Sequence, residues 1–232
     1  MSKRTIKNAV ILAAVANVLV VTTVFVTTAY LTSSAVVANT FTVGKVGISM
    51  FETLTNEDGK SIEPVAGKKT SRGNHYLLVP GSDYIKDPTI YVDDTSTEAY
   101  LFIKVRNDIV AIEDKSDSVN KPTIAQQLEA NGWKIHHDTA TDKVYYYADK
   151  TTGKAKAIGG SNPETEIPVF EKFTIDPEAN VSNYDAARVS IMAYAIHNAE
   201  DQFGEFGTTA AITAAWNEIV RAYPYVPEVT ND

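Results

Sequence analysis

The stretch Ala99 to Asn107, AYLFIKVRN, constrains the fold more than any other part of the chain. Leu101, Ile103 and Val105 share one side, and Tyr100, Phe102, Lys104 and Arg106 share the other. A repeat of two is the period of a strand, whose successive side chains leave opposite faces of a sheet. The second side begins aromatic and ends basic, which predicts a sheet packed on one face and covered over half of the other. Arg188 to His197, RVSIMAYAIH, repeats the signal. Val189, Ile191, Ala193 and Ala195 fall on one side, and Met192, Tyr194 and Ile196 on the other. A strand apolar on both faces belongs inside a sheet.

Shorter runs extend the pattern. Asn39 to Glu52, Tyr76 to Val79, Thr89 to Val92, Trp133 to His137, Lys143 to Ala148 and Val169 to Ile175 read as strands separated by Gly, Asp and Pro turns. In the first of these the apolar parity changes at Gly44, where a bulge would return Phe41, Val43, Val46, Ile48 and Met50 to one face. Asp58-Gly59 supplies the positive-φ residue of a tight turn. Pro122 to Gly132 reads as a helix, with Pro122 in the first turn and Gly132 as the stop. Thr208 to Arg221 reads as a second, capped by Thr208 or Thr209 and striped by Ile212, Ala215, Trp216, Ile219 and Val220. Strands joined by turns pair antiparallel. The expected fold is therefore all-β: a jelly-roll-like antiparallel β-sandwich with short helices inserted in its connections.

The N-terminus reads as an export signal. Lys3, Arg4 and Lys7 precede an apolar run from Ala9 to Val26, broken by Asn17, Thr22 and Thr23, and Thr27-Thr28-Ala29 is small. Charge, apolar core and small residues are the three parts of a secretory leader. The expected organisation is a signal peptide over residues 1–29, an N-terminal segment over 30–43 and a β-domain over 44–232. Ala38 ends a second candidate cleavage site, and retention of the run as an anchor is the remaining option. Without the leader's three cations the chain holds 18 basic and 29 acidic residues, a charge of −11. That balance disfavours nucleic acid, which binds a basic surface. The chain has no cysteine. A secreted domain without disulfides relies on a large core or on assembly for its stability.

Catalytic signatures are absent. The four histidines, His75, His136, His137 and His197, form no H-E-x-x-H and no i, i+4 pair. No nucleophile elbow, phosphate loop or dinucleotide fingerprint occurs. The expectation is a non-enzyme without a cofactor or bound metal. Asn56 and Asp58 read as turn residues in preference to calcium ligands. Trp133 with Tyr145, Tyr146 and Tyr147 reads as alternating core and sheet-face positions, with an aromatic surface for sugars as the other option.

The segment Tyr30 to Ala38, YLTSSAVVA, is uncharged, small and β-branched. Such a segment suits strand addition to another subunit's open sheet edge, where main-chain hydrogen bonds give affinity and alternate side chains fill pockets. A flexible spacer is the other reading of the same residues. AYLTSSAVVANTFTVGKVGISMFE resembles the leader end and first strand of the TasA/camelysin family of secreted Gram-positive proteins. Similar stretches continue in order: LVPGSDYIKDPTIYV, EAYLFIKVRN, NGWKI, VYYYAD, and AYAIHNAEDQFG with AAW. Ser33 stands where the family often has an acidic residue. The resemblance implies a jelly-roll sandwich and cleavage between Ala29 and Tyr30 by a SipW-type signal peptidase. It also implies a structural role in extracellular biofilm-matrix fibres built by donor-strand complementation. The residues expected to carry polymerisation are Tyr30, Leu31, Ala35, Val36, Val37, Phe41 and Val43. A monomeric or membrane-anchored surface-binding module is the alternative. The metallopeptidase label that camelysin carries finds no zinc motif here.

Overall fold

The two alternating nine-residue stretches pair with each other along their whole length, from Val189 opposite Asn107 to His197 opposite Ala99. They form the spine of a computed structural model that describes residues 36–37, 46–139 and 141–222, all within the unit Ser33–Pro227. In chain order the strands are β1 (Val36–Val37), β2 (Ile48–Thr53), β3 (Lys69–Thr70), β4 (Asp83–Ile85), β5 (Thr89–Val92) and β6 (Ala99–Asn107). They continue with β7 (Trp133–Asp138), β8 (Asp142–Tyr147), β9 (Glu166–Pro168), β10 (Lys172–Thr174) and β11 (Val189–His197). The helices are α1 (Ile124–Ala130), α2 (Glu200–Phe203) and α3 (Thr209–Ala222).

The strands make three separate sheets, ordered β1-β11-β6-β8-β7, β3-β2-β5-β9 and β10-β4. None closes on itself. Every described pairing is antiparallel except β1 on β11, which is parallel. The architecture is a mixed α/β fold, and it overturns the expected all-β jelly roll. The reason lies on the second face of β6 and β11. Tyr100, Phe102, Val144 and Tyr194 cover that face and are buried beneath Phe203 of α2 and Ala211, Ile212, Ala215 and Ile219 of α3. An apolar sheet face must be covered, and here a helical layer covers it. The C-terminal helices are thus structural partners of the sheet and not insertions in a sandwich.

The opposite face packs on the two smaller sheets. Leu101, Ile103 and Val105 of β6 and Ile191 and Ala193 of β11 share a core with Ile48, Met50, Ile90, Val92 and Ile167. Tyr84 of β4 and Phe173 of β10 stack in the same core at a ring separation of 4.9 Å. The parity read from AYLFIKVRN therefore holds on both faces, and Lys104 and Arg106 lie half-buried where the helical cover ends.

The expected helix over Pro122–Gly132 is the shorter α1, and Pro122, expected in its first turn, precedes the cap. Thr123 and Gln126 form its capping box, and Gly132 follows with φ of 92°. The Thr208 hydroxyl accepts from the Ala211 N–H at 3.2 Å and so caps α3. Val220, expected on the buried stripe of α3, is exposed.

Three expected strands differ. Residues 76–79 form no ladder: the Tyr84 hydroxyl accepts from the Val79 N–H at 2.6 Å and donates to the Leu77 carbonyl at 2.8 Å, while the Leu77 N–H donates to the Glu57 carbonyl at 2.8 Å. Val169–Ile175 does not run as one strand, because the chain leaves β9 at Pro168 and joins a different sheet at Lys172. The strand expected from Asn39 is described only from Ile48, and the Gly44 bulge lies outside the described residues.

Candidate functional site

β11 lies between β6 and a two-residue partner, so most of its outer edge has no strand beside it among the described residues. Val36 stands opposite Met192 and Val37 opposite Ala193. β1 thus engages two consecutive positions near the middle of the nine-residue β11. A sheet edge presents unpaired N–H and C=O groups at strand spacing, which makes it a template for another strand. The other edge of this sheet is blunted. β7 carries a register irregularity between Ile135 and His137, and its flank holds ion pairs between Lys134 and Glu129 and between Lys143 and Asp138. A bulge and edge charges oppose strand addition. The β11 edge has neither device along Ile191 to Ile196.

Of the residues expected to carry polymerisation, Val36 and Val37 are placed, as β1. Tyr30, Leu31, Ala35, Phe41 and Val43 lie outside the described residues, as do the cleavage pair Ala29 and Tyr30 and the leader. Among the described residues no helix is long and apolar enough to cross a membrane. The acceptor half of the site was missed in the sequence. Its only sequence signal is the two-sided apolar character of β11, which says "interior" and does not say which neighbour is short.

The other candidate groups are dispersed. His75 is exposed, 3.9 Å from Glu57, while His197 Nδ1 lies 3.1 Å from the Thr97 hydroxyl. His136 sits edge-on to the Phe102 and Trp216 rings, and burial lowers its pKa below the usual imidazole value. His137, its neighbour, is exposed. Among the described residues no group of three or more His, Asp or Glu could hold a metal ion. Trp133, Tyr145 and Tyr147 are buried, and the half-buried Tyr146 donates to the Gly153 carbonyl at 3.1 Å; Trp133 and Tyr145 border a surface pocket beside Ala125, Glu129 and Lys134. Asn56 and Asp58 belong to a turn in which the Gly59 N–H donates to the Asn56 carbonyl at 2.9 Å.

One constellation has no counterpart in the sequence reading. Glu52 of β2 is buried, and its Oε2 accepts from Lys86 Nζ at 2.8 Å; the two side chains are 1% and 4% exposed. The other carboxylate oxygen accepts from Asn74 Nδ2, also at 2.8 Å. The amide oxygen of Asn74 accepts from the Thr55 N–H at 2.9 Å. Tyr76 closes the site from one side and donates its hydroxyl to the Ile85 carbonyl. Burial, with the Glu52 charge second, pushes the Tyr76 pKa far up, so this phenol stays protonated. Alternation in β2 carries the signal for Glu52: it shares a parity with the core residues Ile48 and Met50, where a carboxylate is out of place.

Comparison of the chain with family models, with curated proteins and with solved structures finds no match.

Proposed function

We propose that this chain is a secreted structural subunit that polymerises into extracellular or cell-surface fibres by lending residues 30–43 to the β11 edge of the next subunit. The observation that carries the reading is the parallel pairing of Val36 and Val37 with Met192 and Ala193. An element that docks on its own sheet edge can dock by the same register on the edge of an identical chain, which is the logic of strand exchange. The contact is head-to-tail. Donor and acceptor are different surfaces, so each added subunit offers a fresh edge and the assembly grows without closing.

Export is the premise of this reading. It rests on the leader chemistry of Lys3 to Ala29 and on the motif resemblance to the TasA/camelysin proteins, with a SipW-type peptidase freeing Tyr30. Self-association also suits a cysteine-free extracellular chain, because each docked strand stabilises the fold that receives it.

The test begins with the secreted protein and a variant that starts at Ala38. The parent is expected to form filaments under negative stain, and the variant to remain a folded monomer that binds a synthetic Tyr30–Val43 peptide one to one. Filaments from the shortened chain would overturn the proposal.

A further inference from the structure

We infer that Lys86 and Asn74 are a self-reacting pair that forms an intramolecular amide bond, with Glu52 as its proton carrier. Three observations carry this. Lys86, Asn74 and Glu52 are all buried, at 3%, 5% and 2% exposure. One carboxylate bridges the amine and the amide, holding each nitrogen at 2.8 Å. The Thr55 N–H already donates to the Asn74 amide oxygen, on which negative charge develops when a nucleophile adds to the carbon.

The reaction balances without an outside reagent. Transfer of a proton across the Lys86–Glu52 hydrogen bond leaves a neutral amine and a carboxylic acid, and no net charge crosses the interior. The Nζ lone pair adds to Cγ of Asn74, forming the new C–N bond, and the Thr55 N–H stabilises the oxyanion. Glu52 delivers its proton to Nδ2 and takes one from Nζ. The Cγ–Nδ2 bond breaks, ammonia leaves, and a secondary amide joins the two side chains. Carboxylate bridging supplies the orientation that makes such a reaction effectively unimolecular. The core around it, with Tyr76, Tyr84 and Phe173 packed ring against ring, keeps competing water away.

A covalent link here would serve a chain that has no cysteine, tying the segment after β3 to the segment after β4. It does not depend on polymerisation, and its readout is independent of filament formation.

The experiment is tryptic mapping and intact mass of the purified full chain. The expected result is a mass below that of the linear sequence by one ammonia, about 17 Da. Trypsin should fail after Lys86, leaving a peptide from Gly73 to Lys104 that carries the loss and whose fragmentation joins Asn74 to Lys86. Lys86→Met and Asn74→Ala should restore the full mass, and Glu52→Gln should slow or abolish the loss while Lys86 and Asn74 remain. A linear peptide ending at Lys86 with its amide intact overturns the inference. So does an ammonia loss confined to Asn74 with normal cleavage after Lys86, because that is cyclisation onto the backbone. Bond formation undiminished in Glu52→Gln would overturn the role given to Glu52.

Discussion

Two ion pairs of nearly equal length make opposite predictions. Lys86–Glu52 is 2.8 Å long with both side chains under 5% exposed, whereas Lys104–Asp142 is 2.9 Å long with side chains 33% and 21% exposed. Lys86→Met leaves the Glu52 carboxylate in the core with the Asn74 amide as its remaining hydrogen-bond donor. Stranding a buried charge in this way costs about 3–5 kcal/mol. Where the proposed Asn74–Lys86 amide has formed, Lys86 carries no charge, and the loss is that of a link closing a loop of about a dozen residues, again about 3 kcal/mol. Lys104→Met removes a pair that water already screens and should change stability by about 1 kcal/mol or less. The double variant Lys86→Met/Glu52→Gln should recover about 1–4 kcal/mol relative to Lys86→Met, since the orphaned charge is gone. Urea unfolding at pH 7, read by tryptophan fluorescence, measures all four proteins, and the mass of each shows whether the amide is present. If Lys86→Met falls within about 1 kcal/mol of the parent, alongside Lys104→Met, the burial argument is wrong.

Further outcomes follow from other parts of the core. Phe102→Ala opens a cavity between β6 and α3 and should cost about 3–5 kcal/mol in urea unfolding. His136 has a folded pKa lowered by burial, so the unfolded chain binds its proton first as pH falls. Stability from this residue is present above about pH 6.5 and is lost as pH falls toward the depressed folded value. Melting temperatures from pH 8 to pH 5 should therefore fall less steeply in His136→Gln than in the parent. Gly59 and Gly153 share a φ of 70°, but an alanine Cβ would lie 2.8 Å from the Tyr84 Cα at the first and meet nothing within 4 Å at the second. Both substitutions carry the left-handed penalty of about 1–2 kcal/mol. Gly59→Ala should lose about 1–3 kcal/mol more, measured as a lower urea midpoint.

Part of the fold is legible because it is written locally. Alternation fixes which side chains of β6 and β11 share a face, since the period belongs to the backbone and needs no partner. The Thr208 cap marks one helix start for the same reason. Residues 76–79 look like a strand on composition, but strand formation requires a partner ladder, and their main-chain groups bond instead to the Tyr84 hydroxyl, the Glu57 carbonyl and the Ser82 N–H. The jelly-roll expectation treated the C-terminal helix as a connection. Whether Ile212, Ala215 and Ile219 close a sheet face depends on Tyr100, Phe102 and Tyr194, which are far away in the chain.

The candidate sites divide along the same line. Val36 and Val37 stand out in the sequence because an uncharged, β-branched pair ahead of the first expected strand invites strand addition. The edge that receives them does not, because edge status is a property of neighbours and not of residues. Glu52, Asn74 and Lys86 are ordinary polar residues in a linear reading, spread over 34 positions. By itself the sequence determined periodicity, turns, the basic-then-apolar composition of its first 29 residues and the freedom from disulfides. The tertiary structure alone decided which sheet face the helices cover, which edge stays open among the described residues and which three polar side chains meet in the dark of the core. The physical reason is that sheet pairing and burial are long-range contacts, and no local pattern specifies the partner.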